Sequence, residues 1–138
     1  MFTNEVQIRV RYAETDQMGY VYYGNYATYF EVARVESLRK LGLSYRELEN
    51  SGIMLPVLEY KSKFIRPAKY DDLLTIKVTI KELPTARIHF EYEVYNESKE
   101  LLTVGDTTLV FINGTSKRPC AAPDIFIKTM QMYFSGNQ

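Results

Sequence analysis

The sequence has few of the features that mark secreted, membrane-bound or nucleic-acid-binding proteins. Its one cysteine, Cys120, cannot form a disulfide within the chain, so we expect a reducing compartment and a cytoplasmic location. No apolar run approaches the roughly 20 residues that a membrane span needs, and residues 1–5 lack the basic and apolar regions of a signal peptide. The 17 basic and 17 acidic residues give a formal net charge of zero, which argues against a nucleic-acid partner.

The residues that are present suit one globular domain. A chain of 138 residues, of which 46% are hydrophobic, is long enough to bury a core of its own. No internal repeat, linker or low-complexity tract divides it, so we expect a single domain that covers residues 1–138. Tyrosine is abundant, at 12 residues. Its ring can be buried while its hydroxyl stays polar, which suits ligand pockets and interfaces.

One long helix is predicted from about Asn25 to Leu41. Asn25 is the expected N-cap, because its side chain can accept hydrogen bonds from free N–H groups of the first turn. Gly42 suits the end of the helix, and Ser44 is expected to cap a second, short helix that ends near Asn50. Five residues of the long helix share one face at helical spacing: Tyr26, Phe30, Ala33, Ser37 and Leu41.

Alternating apolar and polar residues predict five strands. The strands cover about residues 5–12, 55–65, 74–80, 88–94 and 101–113, and a helix over residues 124–134 follows them. Strands joined by short turns pair antiparallel, and the long helix is the one element able to cover their apolar face. We therefore expect an α+β domain in which a curved antiparallel sheet wraps around one long central helix. Its exposed sheet edges favour a homodimer or a dimer of dimers.

The loop between the first strand and the long helix carries an acidic residue, Asp16, in a segment rich in glycine and tyrosine. The loop leads directly into a helix N-terminus, where unpaired backbone N–H groups favour negative charge. This order places a base or nucleophile close to a cluster of hydrogen-bond donors. The ordinary alternative for Asp16 is a turn residue whose carboxylate accepts hydrogen bonds from the backbone that follows it.

Residues 16–26 read Asp-Gln-Met-Gly-Tyr-Val-Tyr-Tyr-Gly-Asn-Tyr. This segment resembles the signature of hotdog-fold acyl-CoA thioesterases of the 4-hydroxybenzoyl-CoA thioesterase type. Residues 29–34 and 64–72 are similar to the same family, and the similarity extends from about Glu5 to Ile112. The resemblance implies the hotdog fold, in which an antiparallel sheet wraps around one helix. It also implies hydrolysis of an acyl-CoA small-molecule substrate to a free carboxylic acid and CoA.

The same resemblance assigns roles to residues of the loop. Asp16 carries the catalytic carboxylate, either as a nucleophile that forms a mixed anhydride or as the base that activates water. The backbone N–H of Tyr23 polarises the thioester carbonyl, aided by the helix dipole, and Asn25 either holds the attacking water or only caps the helix. No metal or redox cofactor is implied, because CoA is part of the substrate. Many relatives have histidine at the position of Tyr23, but tyrosine cannot act as a base near neutral pH.

Basic residues on the predicted strands are candidates for binding the phosphates of CoA, since phosphate recognition favours exposed lysine and arginine. Lys63 and Arg87 rank first, ahead of Lys61 and Arg66, although a solvated strand face accounts for each of them equally well.

Other reactive residues have ordinary explanations. His89, the single histidine, alternates with charged residues and suits a cross-strand contact, and Cys120 has no visible base partner. Glu31 is expected to pair with Arg34 rather than to act in catalysis, and Glu14 is expected to be solvated.

Two other functions share this fold. The first is a hotdog module that binds acyl-CoA without cleaving it, and the presence of Asp16 argues against it. The second is a dehydratase that acts on hydroxyacyl thioesters. Such enzymes usually pair an active-site histidine with a helix carboxylate, and His89 lies at the wrong place in the chain for that role.

Overall fold

The computed structural model describes residues 1–134 and contains one main antiparallel sheet, a two-stranded sheet and three α-helices within them. In chain order the elements are β1 (Phe2–Arg9), α1 (Asn25–Lys40), α2 (Tyr45–Asn50), β2 (Ile53–Met54), β3 (Val57–Phe64), β4 (Leu73–Ile80), β5 (Arg87–Tyr95), β6 (Leu101–Val110), β7 (Ile112–Asn113) and α3 (Asp124–Gln131). Among these described residues, no helix is long and apolar enough to cross a membrane.

The main sheet has the order β1-β4-β5-β6-β3, with every neighbour antiparallel. The predicted pairing of strands joined by short connections is confirmed for β4, β5 and β6, and β6 is an interior strand, between β5 and β3, as its apolar run predicts. β3 does not pair with β4, however: Phe64 lies opposite Thr103 of β6. The eight residues from Ile65 to Asp72 carry the chain from one edge of the sheet to β4, beside β1 at the other edge.

The long helix α1 covers the apolar face of this sheet. It packs against β1 and β4, and four residues of its predicted face, Tyr26, Phe30, Ala33 and Ser37, are buried. The inward side chains of β4 and β5 are buried in alternation, as the period of two requires, and each fully buried aliphatic or phenylalanine side chain stabilises the fold by about 1.5–3 kcal/mol. The ring of Phe30 stacks on Tyr92 with centroids 4.2 Å apart.

A glycine permits this close packing of helix on sheet. A Cβ atom at Gly105 would lie 2.6 Å from the ring of Phe30 and 2.7 Å from the carbonyl oxygen of Lys61. Since real Cβ contacts do not come this close, a side chain here would push α1 away from β6.

The ends of the elements show which local signals were sufficient. Ser44 accepts a hydrogen bond from the N–H of Glu47 at 3.0 Å, so the predicted cap of α2 is confirmed. The predicted N-cap of α1 is wrong. Gly24 occupies that position and Asn25 is the first helical residue. The side-chain amide of Asn25 donates instead to the carbonyl oxygen of Glu14 at 2.8 Å.

A buried arginine replaces one predicted ion pair. Arg34 forms no ion pair with Glu31 in residues 1–134; its Nε donates to the hydroxyl of Tyr45 at 3.1 Å. Burial alone would lower the pKa of Arg34, but the Tyr45 and Tyr92 hydroxyls raise it, so the guanidinium remains charged inside the fold. The helix α1 is therefore buried on a second side. The i, i+3 spacing of Glu31 and Arg34 predicts an exposed ion pair and carries no information about this burial.

Candidate active site

The loop that carries Asp16 is held to the sheet and to itself by backbone hydrogen bonds. Beyond the end of β1, the N–H of Val10 donates to the carbonyl of Asp72 at 2.9 Å. After a single helical turn at Tyr12–Glu14, the chain reverses, and Thr15 forms an isolated bridge with Val21. The short turn explains why β1 ends at Arg9, three residues before the predicted end.

The carboxylate of Asp16 is fixed through one of its two oxygens. Its Oδ1 accepts hydrogen bonds from the N–H groups of Met18, at 2.9 Å, and Tyr20, at 3.2 Å. Gly19 makes this turn possible by adopting a φ of +78°, which glycine reaches without steric cost. No hydrogen bond to Oδ2 occurs within residues 1–134. The ordinary turn geometry is therefore present, and it leaves one carboxylate oxygen available to a substrate or a water molecule.

Asp16 lines an open cleft of about 400 Å³ next to the start of α1. This volume lies in the usual range for a small-molecule site, about 300–1,000 Å³. The lining residues are mostly aromatic or aliphatic: Asp16, Met18, Tyr20, Val21, Tyr23, Tyr26, Phe64, Ile65, Arg66 and Pro67. The rings of Tyr26 and Phe64 lie 5.1 Å apart. The cleft thus offers an apolar wall beside a carboxylate.

Tyr23 lines the same cleft and stands at the N-terminus of α1. Its carbonyl oxygen accepts from the N–H of Tyr26 at 3.3 Å, but its own N–H donates to no group in the part of the chain that the structure describes. A free N–H at a helix N-terminus suits a developing negative charge. A hydrogen bond with Tyr23 raises the pKa of the neighbouring Tyr22 hydroxyl, so the Tyr22 phenol stays protonated at neutral pH.

The structure brings Asp16 and Tyr23 into one cleft but not the other predicted site residues. Asn25 is absent from the cleft wall, and its amide is used by Glu14. Lys63 lies on the outer face of the sheet, in a separate groove. Arg87, at the start of β5, is exposed and also lies outside the cleft wall.

A basic residue of lower predicted rank does line the cleft. Arg66 is among the lining residues, with its guanidinium 3.7 Å from the carboxylate of Glu100. The sequence signal that could have ranked Arg66 higher is its position directly before Pro67, just after the end of the edge strand β3. The two other candidates with ordinary explanations stay outside the site: His89 contacts Thr108 at 2.9 Å across β5 and β6, as expected, and Cys120 is half-buried elsewhere.

The prediction that Glu14 is solvated is wrong. Glu14 is only 8% exposed. The carboxylate accepts from the backbone N–H of Arg11 at 2.9 Å, from the Arg11 guanidinium at 2.6 and 2.9 Å, and from the hydroxyl of Tyr29 at 2.7 Å. Burial alone would raise the pKa of Glu14, but these hydrogen bonds together lower it below its ordinary value. The carboxylate therefore stays ionised beside the loop.

Comparisons with known proteins show what the whole chain is similar to. The family model of the thioesterase-like superfamily matches residues 10–129. A DHNA-CoA thioesterase from Staphylococcus aureus superposes with a TM-score of 0.89 at 34% identity, over 100% of this chain and 97% of that one. YneP of Bacillus subtilis, provisionally assigned as an acyl-CoA thioesterase, is 30% identical over 119 residues, 86% of each chain. YbgC, an acyl-CoA thioester hydrolase of Escherichia coli O6:H1, is 28% identical over 116 residues, 84% of this chain and 87% of its own.

These likenesses extend over nearly the whole chain and include the loop, the cleft and α1. They confirm the predicted family, the α+β hotdog fold and the prediction that the protein is a thioester-cleaving enzyme. The chain belongs to the thioesterase-like superfamily.

Proposed function

We propose that this protein hydrolyses acyl-CoA thioesters to a free carboxylic acid and CoA. The observation that carries the proposal is that Asp16 and Tyr23 line one cleft. Within residues 1–134, one carboxylate oxygen of Asp16 accepts no hydrogen bond and the backbone N–H of Tyr23 donates none. A thioester carbonyl that enters the cleft meets an oxygen able to attack it and a donor able to stabilise its oxygen. The names of the relatives, which specify CoA thioesters, support the same substrate class.

Asp16 acts in one of two ways. As a nucleophile, its Oδ2 attacks the carbonyl carbon, the carbon–sulfur bond breaks, and CoA leaves as a thiolate that takes up a proton; water then cleaves the resulting anhydride and restores the carboxylate. As a base, Asp16 removes a proton from water, which attacks the carbonyl itself. In both routes the N–H of Tyr23 donates to the carbonyl oxygen as it becomes negative, a contribution worth about 10²–10³ in rate for one such donor.

We expect Asn25 to contribute to this chemistry by positioning the loop and not by contacting the substrate. Its amide is used by the carbonyl of Glu14, so we assign it to holding the loop against the start of α1 rather than to holding the attacking water.

For the phosphates of CoA, Arg66 is the basic side chain on the cleft wall. We expect it to contact CoA ahead of Lys63 and Arg87, which would meet only a CoA that extends over the outer face of the sheet.

We also propose that the chain forms a homodimer, or a dimer of dimers, through β3. This strand lies at the edge of the sheet and exposes 47% of Val57, 48% of Leu58 and 41% of Tyr60. An exposed apolar edge strand is a template for pairing with another chain. Phe64 at the end of β3 lines the Asp16 cleft, so a second copy seated on this edge would help to enclose the substrate.

The test is thiol release from a panel of acyl-CoA substrates, aromatic and aliphatic, by the native protein and by Asp16→Asn. The panel begins with CoA thioesters of bicyclic aromatic acids, because aromatic rings line the cleft and the S. aureus relative is a DHNA-CoA thioesterase. Asparagine keeps an oxygen acceptor for the Met18 and Tyr20 N–H groups but loses the charge, so we expect a folded variant with at least about 100-fold lower kcat.

Substantial turnover by Asp16→Asn would contradict the proposed mechanism. Saturable acyl-CoA binding by the native protein without any thiol release would instead support the binding module.

A further inference from the structure

Glu14 is a buried carboxylate that the proposed hydrolysis does not itself use. It lies two residues before Asp16 and does not line the cleft. A buried charge is costly unless hydrogen-bonded partners surround it. The partners of the Glu14 carboxylate therefore show what this residue holds in place.

The side chain of Glu14 ties the loop to the helix. Oε1 accepts from the backbone N–H of Arg11 at 2.9 Å and from the hydroxyl of Tyr29 at 2.7 Å, and Oε2 accepts from the guanidinium of Arg11. Tyr29 lies four residues inside α1 and is only 2% exposed, so it cannot move without disturbing the core. Through this contact, the backbone of Glu14 is held at a fixed place relative to the start of the helix.

The backbone carbonyl of Glu14 holds the other end of the loop. Its oxygen accepts from the N–H of Tyr22 at 2.9 Å and from the side-chain amide of Asn25 at 2.8 Å. These two residues flank Tyr23 and Gly24. The peptide group that contains the Tyr23 N–H is held directly by its carbonyl oxygen, on Tyr22, which accepts from the backbone N–H of Asn25 at 2.9 Å. The carbonyl oxygen of Glu14 holds both partners of that hydrogen bond, so the direction of the Tyr23 N–H depends on where Glu14 lies.

We infer that Glu14 is a positioning residue: the Arg11–Glu14–Tyr29 cluster fixes the carbonyl that holds Tyr22 and Asn25, and in this way it aims the Tyr23 N–H into the cleft. The inference rests on the proposed function, in which that N–H stabilises the carbonyl oxygen. A displacement of about 1 Å at such a donor can reduce the rate about 10²-fold, so a contact outside the cleft can have a large effect on kcat.

Glutamine cannot replace Glu14 in this cluster. The carboxylate offers two oxygens to the donors of Arg11 and Tyr29, whereas an amide offers one oxygen and adds an NH₂ that meets a donor. Tyr29→Phe is a milder change, because it removes only the hydroxyl that joins the cluster to α1 and preserves the buried ring. The two variants thus weaken the same hydrogen bond, one at its acceptor on Glu14 and the other at its donor on Tyr29.

The experiment measures kcat and KM for thiol release with native protein, Glu14→Gln, Tyr29→Phe and the control Glu36→Gln, whose carboxylate forms an exposed ion pair with Arg39 on α1. We expect kcat to fall about tenfold or more in Glu14→Gln and Tyr29→Phe, with KM within about twofold because the cleft wall is intact. Glu36→Gln should retain native values. Amide hydrogen exchange at Tyr22 provides a second readout, and it should be faster in the two cluster variants while exchange in β4 and β5 is unchanged.

The outcomes separate the two proposals. A folded Tyr29→Phe protein with native kcat overturns the inference, as does an equal rise in KM and fall in kcat, which would indicate general loosening of the cleft. A native protein that releases no thiol from any acyl-CoA overturns the proposed function instead. In that case the exchange rate at Tyr22 decides the inference alone, and an unchanged rate in both cluster variants would overturn it.

Discussion

Asp16 and Tyr20 are joined by two hydrogen bonds: the N–H of Asp16 donates to the carbonyl of Tyr20 at 2.8 Å, and the N–H of Tyr20 donates to Oδ1 of Asp16 at 3.2 Å. The backbone therefore sets the orientation of the carboxylate. Because the turn between these residues needs a left-handed conformation at Gly19, the position of the proposed catalytic group depends on that glycine.

We expect Gly19→Ala to impair catalysis as well as stability. A Cβ at this position meets no atom within 4 Å, so the change costs only the left-handed backbone strain, about 1–2 kcal/mol. A turn that relaxes to relieve the strain would redirect the Asp16 carboxylate, so kcat should fall about tenfold. Denaturant unfolding and thiol release measure the two effects.

Gly52→Ala is the matched control for this change. Gly52 has a φ of +87°, and a Cβ there also meets no atom within 4 Å, but the residue is not part of the cleft wall. Its variant should lose a similar amount of stability and keep native kcat. An equal loss of activity in both variants would show that strain alone, and not the aim of the carboxylate, is responsible.

The side chain of Tyr23 should matter little for the rate. Tyr23 is 65% exposed, and the proposed contribution comes from the backbone N–H, which a side-chain substitution leaves in place. We expect Tyr23→Phe to keep kcat within about threefold, against the loss of about 100-fold or more in Asp16→Asn. A drop beyond tenfold in Tyr23→Phe would assign the role to the phenol.

Local patterns in the sequence were sufficient for the longer elements and for two of the five predicted site residues, Asp16 and Tyr23, which line the cleft. The period of two located β4 and β5, and helical spacing located the buried face of α1. The loop motif was sufficient to bring Asp16 and Tyr23 together, because the two residues are close in the chain, and their catalytic roles stay predictions.

What the sequence did not reveal depends on contacts between distant segments. β3 pairs with β6 rather than with β4 because strand partners are chosen by the whole sheet, and alternation within a strand carries no record of its neighbour. Glu14 looks like any loop carboxylate, yet Tyr29, fifteen residues later, makes it a buried acceptor. For the same reason Asn25, a good cap by type, is used by a carbonyl of the preceding loop.

The Glu14 cluster should make stability depend on pH in the acid range. Burial alone would raise the pKa of Glu14, but the hydrogen bonds from Arg11 and Tyr29 lower it in the folded protein. A lowered pKa contributes stability that is complete above the unfolded value of about 4.3 and is lost as the pH falls through the folded value. We therefore expect Glu14→Gln to be less stable than native by about 1.5–3 kcal/mol at pH 7.

This difference should shrink as the pH falls below about 4, because the unfolded chain then takes up a proton at Glu14 before the folded protein does, whereas glutamine does not titrate. Denaturant unfolding at a series of pH values measures it, with Glu36→Gln as the control whose exposed pair should contribute about 0–1 kcal/mol. A difference that stays constant from pH 7 to pH 3 would show that the charge of Glu14 has no part in the effect.

The exposed edge of β3 predicts that activity and assembly depend on the same residues. We expect the native protein to sediment at a multiple of its 16.1 kDa chain mass, and Leu58→Lys to sediment as one chain, because an added charge on an edge strand opposes pairing with a second copy. Thiol release should fall with the loss of the dimer, since Phe64 joins the end of β3 to the cleft wall.

Ile125→Lys is the control for this effect, because Ile125 is equally apolar and 60% exposed but lies on α3, away from the edge strand. It should keep both the native mass and the native rate. A fully active protein that sediments as a single chain would show that the Asp16 cleft is complete within one copy, and the apolar side chains of β3 would then need a different partner.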